Sequence, residues 1–124
     1  MNILIVDDSI VIRKIHTNII KSINPDAQIT HAESGYEALE LVCNEPNKYS
    51  LVILDVNMPE MSGDVAFREM RKNEATRHIP VLFITTEGSR GFVLDMLKLG
   101  AVDYLLKPIR AEDLKMKLIM HNLI

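Results

Sequence analysis

Five short apolar runs recur along the chain, separated by longer stretches of mixed polarity. Each run is rich in Val, Ile and Leu, which are favoured in β-strands. The predicted strands cover residues 3–6, 27–31, 51–54, 81–84 and 102–106. The first, third and fourth runs are apolar at every position, which is typical of strands covered on both faces in a parallel sheet. We expect these three strands to be central.

Between and after the strands, apolar residues follow the three-to-four-residue spacing of helices, as Ile12, Ile15 and Ile19 do in the first such stretch. The predicted helices cover residues 9–22, 35–44, 63–72, 89–99 and 111–122. Regular alternation of strand and helix predicts right-handed crossovers and an α/β fold with a doubly wound, five-stranded parallel sheet. No linker or repeat interrupts the pattern, so residues 1–124 are predicted to form one domain.

Composition narrows the possible partners and location. The net charge is −3 over 124 residues, without the basic excess that binding to a phosphate backbone requires, so we expect no direct contact with nucleic acid. The single cysteine, Cys43, cannot form an internal disulfide, which fits a reducing cytoplasm. The first apolar run meets Asp7 too early for a signal peptide, and no run approaches the length of a membrane span. We therefore predict a cytoplasmic protein.

Polar residues follow four of the predicted strands. Asp7 and Asp8 follow the first strand, Asp55 the third, Thr85 the fourth and Lys107 the fifth. In doubly wound sheets, ligands bind at the carboxyl ends of the strands, so these side chains should meet at one edge. Three carboxylates crowded beside buried strands are costly unless a cation pairs with them. The sequence therefore predicts a cation site at this edge.

The expected ligands are hard oxygen atoms with room left for water, which suits Mg²⁺. One divalent cation and the ammonium of Lys107 would leave the three carboxylates close to neutral, so the site could admit a phosphoryl group. The chain has neither the Gly-rich phosphate loop nor the spaced glycines of a dinucleotide site. These residues predict a phosphotransfer site that has no nucleotide-binding loop.

The same residues resemble the receiver domain of response regulators in two-component signalling, most of all the single-domain receivers of the chemotaxis type. The resemblance rests on Asp7-Asp8, the run from Asp55 to Gly63, Thr85, Tyr104 and Lys107-Pro108, which occur in the family's order and spacing. It implies a flavodoxin-like (βα)5 fold over essentially the whole chain. It also implies a signalling protein that catalyses only its own phosphorylation and dephosphorylation, rather than an enzyme acting on other molecules.

The resemblance assigns Asp55 as the phosphoacceptor, which attacks a phosphohistidine on a sensor histidine kinase or a histidine phosphotransfer protein. Mg²⁺ would be bound by the side chains of Asp8 and Asp55, by the backbone carbonyl of Asn57, and by Asp7 largely through water. Lys107 would pair with the phosphoryl oxygens, and a cis Lys107–Pro108 bond would aim it into the site.

The resemblance also implies a switch. The Thr85 hydroxyl would move toward the phosphoryl group and let the Tyr104 ring turn inward. This movement would change a surface formed by the fourth helix, the fifth strand and the fifth helix, which a downstream target protein reads. Two glycines, Gly88 and Gly91, weaken the predicted start of the fourth helix and would let this loop adjust.

Two positions are expected to tune dephosphorylation. Asn57 lies two residues after the acceptor and Glu87 two after the switch threonine, where the family flanks the path of the attacking water. The pair resembles that of fast-decaying chemotaxis receivers, so we expect a short-lived phosphorylated state. Thr86 departs from the family's frequent small residue and is expected to narrow access to the site.

Three other functions fit parts of this pattern. A phosphohydrolase of the haloacid-dehalogenase class would use Asp7 as its nucleophile, but it carries a second acid where this chain has Ser9. A receiver-like interaction module independent of phosphorylation would be suspected if the acceptor, the acid pair or the lysine were missing, and all are present. A flavin-binding protein would need a Ser- and Thr-rich loop after the first strand, which residues 8–11 do not supply.

The last predicted helix has two apolar stripes. Leu114 and Leu118 lie on one stripe, which should face the sheet. A second arc contains Met116, Ile119, Met120 and Leu123. Because flexible methionines suit surfaces that adapt to partners, this arc is predicted to contact a second copy of the chain or a target protein. The alternatives are that the helix is rotated so that both stripes are partly buried, or that the next segment of a longer protein covers this arc.

Overall fold

The computed structural model describes residues 1–86 and 88–123, and within them strands and helices alternate as predicted. The strands are β1 Asn2–Val6, β2 Gln28–Ala32, β3 Leu51–Leu54, β4 Val81–Thr85 and β5 Asp103–Leu106. The helices are α1 Ile10–Ile23, α2 Gly35–Asn44, α3 Gly63–Lys72, α4 Arg90–Lys98 and α5 Ala111–Met120. In this part of the chain no helix is both long and apolar enough to cross a membrane.

The five strands form one parallel sheet in the order β2-β1-β3-β4-β5. The strands predicted to be central, β1, β3 and β4, are central, and they are almost entirely buried. The edge strands β2 and β5 are partly exposed. The chain reverses its direction across the sheet between β1 and β3, so the carboxyl ends of these two strands border the crevice where such sheets bind ligands.

Side chains alternate between the two faces of the sheet and divide the core in two. Leu4 and Val6 face α2, α3 and α4, and Ile3 and Ile5 face α1 and α5. The aromatic core, as we call the first half, includes Leu4, Val6, Val52, Phe67, Met70, Val81, Phe83 and Met96, with Phe92 and Tyr104 packed against it. The aliphatic core, the second half, includes Ile3, Ile5, Ile20, Ile53, Leu82, Ile84, Leu114 and Leu118.

Helix caps explain why the observed helix bounds differ slightly from the predicted ones. The hydroxyl of Ser9 accepts a hydrogen bond from the Ile12 N–H, so α1 begins one residue later than predicted. Ser89 caps α4 in the same way. Gly100 ends α4 with a φ of 96°, a left-handed conformation that glycine adopts without strain.

One prediction about α5 is wrong. The helix ends at Met120, and Asn122 has a φ of 56° that reverses the chain. The Leu123 N–H donates to the Leu118 carbonyl, and the Leu123 side chain packs against the aliphatic core. Leu123 therefore does not belong to the exposed arc of α5.

The other members of that arc are exposed as predicted. Met116, Ile119 and Met120 have 64%, 54% and 59% of their surface exposed, whereas Leu114 and Leu118 are buried. The helix is thus not rotated to bury both stripes.

Candidate functional site

Three carboxylates meet at the carboxyl edge of the sheet. Asp7 follows β1 and Asp55 follows the neighbouring strand β3, where the Asp55 N–H donates to the Val6 carbonyl at 3.0 Å. Asp7, Asp8 and Asp55 each offer a carboxylate oxygen, and these oxygens lie within 4.8 Å of one another. Asp7 and Asp55 are buried and Asp8 is exposed. The predicted cluster therefore forms, with one member open to solvent.

Lys107 brings a positive charge into this cluster. Its Nζ lies 2.6 Å from Asp7 Oδ2 and 3.3 Å from Asp55 Oδ2. The Lys107 N–H donates to the Thr85 carbonyl at 3.0 Å, and the Lys107–Pro108 bond is cis, as predicted. The lysine thus contacts Asp7 more closely than it contacts Asp55.

Burial and charge act in opposite directions on the ionisable groups of the site. Burial raises the pKa of Asp55, and the neighbouring Lys107 offsets this only in part. Burial also lowers the pKa of Lys107, but its hydrogen bond to Asp7 and the charges of Asp55 and Asp7 outweigh that effect and raise the pKa overall. A charged lysine therefore stands beside a carboxylate whose ionised form is poorly solvated.

The backbone around Asp55 depends on a close approach by α3. The Gly63 N–H donates to the Val56 carbonyl at 2.8 Å, just after β3. A Cβ at Gly63 would lie 1.9 Å from the Asp55 carbonyl oxygen, which no side chain can do without a backbone shift. The glycine that ends the motif run therefore lets α3 begin directly against the backbone of Asp55.

The remaining polar residues of the predicted site surround Asp55. Thr85 ends β4 and is buried, and the backbone N–H of Asn57 offsets a small part of the rise in the Asp55 pKa. The Asn57 side-chain amide donates to the Thr86 hydroxyl at 3.0 Å, which links the loops after β3 and β4. Sequence reasoning treated Thr86 only as a bulky neighbour and missed this link. The predicted tuning residue Glu87 lies outside the described residues.

Tyr104 lies on the edge strand β5, in register with Phe83 of β4. Its ring is half-buried against the aromatic core. It also borders a narrow cavity whose other lining residues include Thr85, Phe92 and Met96. The structure therefore brings both predicted switch residues to the same cavity.

Two sets of contacts near the site were not predicted. Arg13 of α1 is buried, and its guanidinium donates to the Asp7 carbonyl at 2.6 Å. Asp103, the first residue of β5, accepts hydrogen bonds from Lys117 and His121, both at 2.9 Å. The four-residue spacing of Lys117 and His121, which places them on one face of a helix, was the available sequence signal for this second set.

The chemistry of the acidic cluster fits a hard divalent cation. Its donors are carboxylate oxygens of Asp7, Asp8 and Asp55, the ligand type that Mg²⁺ prefers. Three negative charges against the single ammonium of Lys107 leave a net negative site, and the exposed Asp8 leaves space for water. The fold and the donor set are those expected at the carboxyl edge of a receiver.

Comparison with known proteins decides the family. The model of the response regulator receiver domain matches residues 3–119 of this chain. The chain belongs to the response regulator receiver family. It is therefore a receiver domain of two-component signalling, and its acidic site suits a phosphoryl acceptor.

Curated relatives of this receiver come from bacteria and plants. It is 38% identical to the chemotaxis protein CheY1 of Helicobacter pylori over 119 residues, which covers 95% of this chain and 94% of that protein. It is 36% identical to the two-component response regulator ORR5 of Oryza sativa subsp. japonica over 112 residues, covering 90% of this chain and 81% of that protein. The resemblance to chemotaxis receivers is thus confirmed over most of the chain.

Solved structures share the receiver fold. The CheX–CheY–BeF3–Mg²⁺ complex from Borrelia burgdorferi matches with a TM-score of 0.89 and 28% identity, covering 100% of this chain and 90% of that chain. The chemotaxis protein CheY4 of Vibrio cholerae matches with a TM-score of 0.83 and 30% identity, covering 96% of each chain. The predicted flavodoxin-like (βα)5 fold is confirmed.

Proposed function

We propose that Asp55 accepts a phosphoryl group from a phosphohistidine on a sensor histidine kinase or a histidine phosphotransfer protein. The observation that carries this proposal is the position of the Asp55 carboxylate, which lies in the acidic cluster with its Oδ2 3.3 Å from the Lys107 ammonium. Residues 1–124 would act as one receiver domain in the cytoplasm, without direct contact with nucleic acid or membrane. The domain would catalyse only its own phosphorylation and dephosphorylation.

In the proposed reaction a carboxylate oxygen of Asp55 forms a bond to phosphorus while the P–N bond to the donor histidine breaks. The phosphoryl oxygens carry negative charge, which the Lys107 ammonium would balance once they displace part of its contact with the carboxylates. The Thr85 hydroxyl, at the end of the neighbouring strand, would donate a hydrogen bond to one of these oxygens. Both groups lie at the carboxyl ends of the neighbouring strands β4 and β5, next to the strand end that carries Asp55.

Asp7, Asp8, Asp55 and the Asn57 carbonyl would hold Mg²⁺ at this edge. The donor set supports the assignment, and the Borrelia burgdorferi relative was solved with BeF3 and Mg²⁺. When bound, the ion would neutralise the carboxylates and the transferring oxygens. Asp8, the exposed member, would complete the ligand set from the solvent side.

Acetyl phosphate tests this function without a protein donor. We expect wild-type protein with Mg²⁺ to gain one phosphoryl group, located at Asp55 by mass spectrometry, and chelation of the metal to prevent it. Asp55→Asn should not be modified, whereas Asp95→Asn, an exposed carboxylate on α4, should behave like wild type. A covalent phosphate on Asp7, or unchanged labelling of Asp55→Asn, would favour the hydrolase alternative and overturn the proposal.

We further propose that Thr85 and Tyr104 form the switch. Both border the same narrow cavity, so a movement of the Thr85 hydroxyl toward the phosphoryl group would change the space open to the Tyr104 ring. The surface of α4, β5 and α5 would change with it and alter the affinity for a downstream target. Amide chemical shifts with and without beryllofluoride test this coupling, and unmoved signals around Tyr104 beside a responding Asp55 would contradict it.

The exposed arc of α5 is our proposed contact surface for a target protein or a second copy of the chain. Met116, Ile119 and Met120 form it, and each has more than half of its surface exposed. Large exposed apolar side chains grouped on one helix face favour association, and methionines adapt to different partners.

A further inference from the structure

Lys117 of α5 connects two groups on opposite faces of the sheet edge. Asp103 is on the face that carries α5, and Tyr104, the next residue of β5, is on the face of the aromatic core. Because β5 is the last strand of the sheet, a side chain from α5 can pass around its open edge. The Lys117 Nζ lies 2.9 Å from Asp103 Oδ2 and 5.9 Å from the centre of the Tyr104 ring.

The position of the ammonium is well defined by its partner. Asp103 Oδ2 accepts hydrogen bonds from Lys117 and from His121 Nε2, and Asp103 Oδ1 accepts one from the Tyr104 N–H at 2.8 Å. The Asp103 side chain is 14% exposed and the Lys117 side chain is 27% exposed. A partly buried pair with both carboxylate oxygens engaged holds the lysine more firmly than an exposed surface pair does.

A cation within about 6 Å of an aromatic ring is attracted to the negative face of the ring. This attraction favours the position of Tyr104 at the sheet edge, near Lys117. A turn further inward would take the ring into the narrow cavity beside Thr85, Phe92 and Met96, which has room for about one water molecule and would have to widen to admit the ring. The Tyr104 ring therefore lies between the ammonium of Lys117 and the narrow, mostly apolar cavity.

We propose that Lys117, anchored by Asp103, is a positioning residue that holds Tyr104 at the sheet edge and opposes its inward turn. This inference rests on the switch proposed above. It adds two residues outside the phosphoryl site that set how readily the switch responds. Without the ammonium the inward position becomes more populated, by about 2- to 5-fold if the contact has the strength usual for partly exposed pairs.

The test uses the full chain with ¹³C-labelled tyrosine. In Lys117→Met, which keeps most of the side-chain length but removes the charge, we expect the Tyr104 ring signals to shift. Asp103→Asn should shift them in the same direction, because the lysine loses its anchor. Lys117→Arg keeps a cation and should retain the wild-type ring signals. Lys115→Met changes an exposed lysine two residues away and serves as the matched control.

Beryllofluoride affinity supplies the functional readout. Lys117→Met should bind this phosphoryl mimic about 2- to 5-fold more tightly than wild type. In wild type the inward turn of Tyr104 on binding must break the contact with Lys117, and in the variant this contact is already absent. Ring signals and affinity that match those of Lys115→Met would overturn the inference and leave Lys117 as an ion pair between α5 and β5. Acetyl phosphate labelling of Asp55 in every variant separates the two proposals, because its absence in wild type would overturn the proposed function instead.

Discussion

At the scale of single residues, the geometry of the site depends on Gly63, which has no Cβ atom. The backbone of α3 begins so close to β3 that a Cβ would lie 1.9 Å from the Asp55 carbonyl oxygen. The first turn of α3 thus packs against the backbone of Asp55, the proposed acceptor, and Lys107 contacts its carboxylate. A change of one methyl group at Gly63 should displace the carboxylate.

We predict that Gly63→Ala lowers the free energy of unfolding by about 1–3 kcal/mol, because the backbone must shift to relieve the overlap. Gly91→Ala is the matched control. A Cβ at Gly91 would meet no atom within 4 Å, and alanine favours the helix, so this variant should be neutral or more stable by up to about 1 kcal/mol. Urea unfolding of both variants checks the contrast, and equal stabilities would refute it.

A second residue-scale prediction concerns the link between Asn57 and Thr86. We propose that Asn57 and Glu87 hold the water that attacks the phosphoryl group, and the hydroxyl of Thr86 orients the Asn57 amide at 3.0 Å. Thr86→Val keeps the shape of the side chain but removes the acceptor, so the decay of phosphorylated protein should slow by about 2- to 10-fold. Thr86→Ser keeps the hydroxyl and should decay at a rate close to wild type.

The phosphoryl lifetime can be followed after removal of acetyl phosphate. A Thr86→Val rate equal to wild type would show that the hydrogen bond to Asn57 does not control the attacking water. A half-life of many hours in wild type would contradict the proposed short-lived state itself.

At the scale of secondary-structure elements, α5 has two different roles on its two faces. Leu114 and Leu118 close the aliphatic core, while Met116, Ile119 and Met120 are exposed. The end of the helix is tied to the start of β5 through Lys117 and His121. Changes on the two faces should therefore have separable effects on stability and on association.

We predict that the double variant Met116→Glu with Met120→Glu stays folded, with a loss of less than about 1 kcal/mol, because exposed positions tolerate substitution. Leu118→Ala, on the buried face of the same helix, should lose about 2–5 kcal/mol. Thermal unfolding tests the contrast, and sedimentation tests association. A folded double variant with unchanged self-association and unchanged partner binding would remove the role proposed for the arc.

The link between β5 and α5 should make stability depend on pH. Burial alone would raise the pKa of Asp103, but the hydrogen bonds from His121 and Lys117 outweigh it and lower the pKa overall. A carboxylate with a lowered folded-state pKa stabilises the protein above its unfolded-state pKa and loses that effect as the pH falls through the folded value. The stabilisation should therefore begin to decline as the pH falls toward about 4 and be lost once the pH is below the lowered folded-state pKa of Asp103.

We predict that wild type is more stable than Asp103→Asn near neutral pH, by at most about 1 kcal/mol for a partly exposed pair. The difference should shrink as the pH is lowered from about 6 to about 3, because protonated Asp103 no longer accepts the charged hydrogen bonds. Urea unfolding of both proteins across this range measures the difference directly. A difference that stays constant with pH would exclude Asp103 as its source.

The sequence predicted the elements well where one local signal decided the outcome. Continuous apolar runs identified β1, β3 and β4 as central, and the acidic residues after β1 and β3 met as expected. Failures occurred where a short-range backbone feature changed the direction of the chain, as at Asn122, which moves Leu123 into the core. The Lys117 contact with Tyr104 joins residues on different elements and has no local signal.

At the scale of the whole molecule, the proposed metal site joins β1 to β3, so binding there should stabilise the fold. A ligand that binds only the folded state at 100 times its dissociation constant adds about 2.7 kcal/mol to the free energy of unfolding. We predict that Mg²⁺ raises the midpoint of thermal unfolding of wild type and that EDTA reverses the effect. Asp8→Asn should need more Mg²⁺ for the same shift. Equal responses of both proteins would exclude Asp8 as a ligand.

The division of the core by the sheet has a consequence for spectroscopy. Of the buried isoleucines, Ile3, Ile5, Ile20, Ile53 and Ile84 lie in the aliphatic half, and Ile79 lies in the aromatic half. The buried valines Val6, Val42, Val52, Val56 and Val81 all lie in the aromatic half, near its phenylalanine rings. Apart from Ile79, the buried isoleucine methyl groups therefore report on the side of α1 and α5, and the buried valine methyl groups report on the side where Tyr104 would move. A switch confined to one half should displace valine methyl resonances and leave most isoleucine resonances in place.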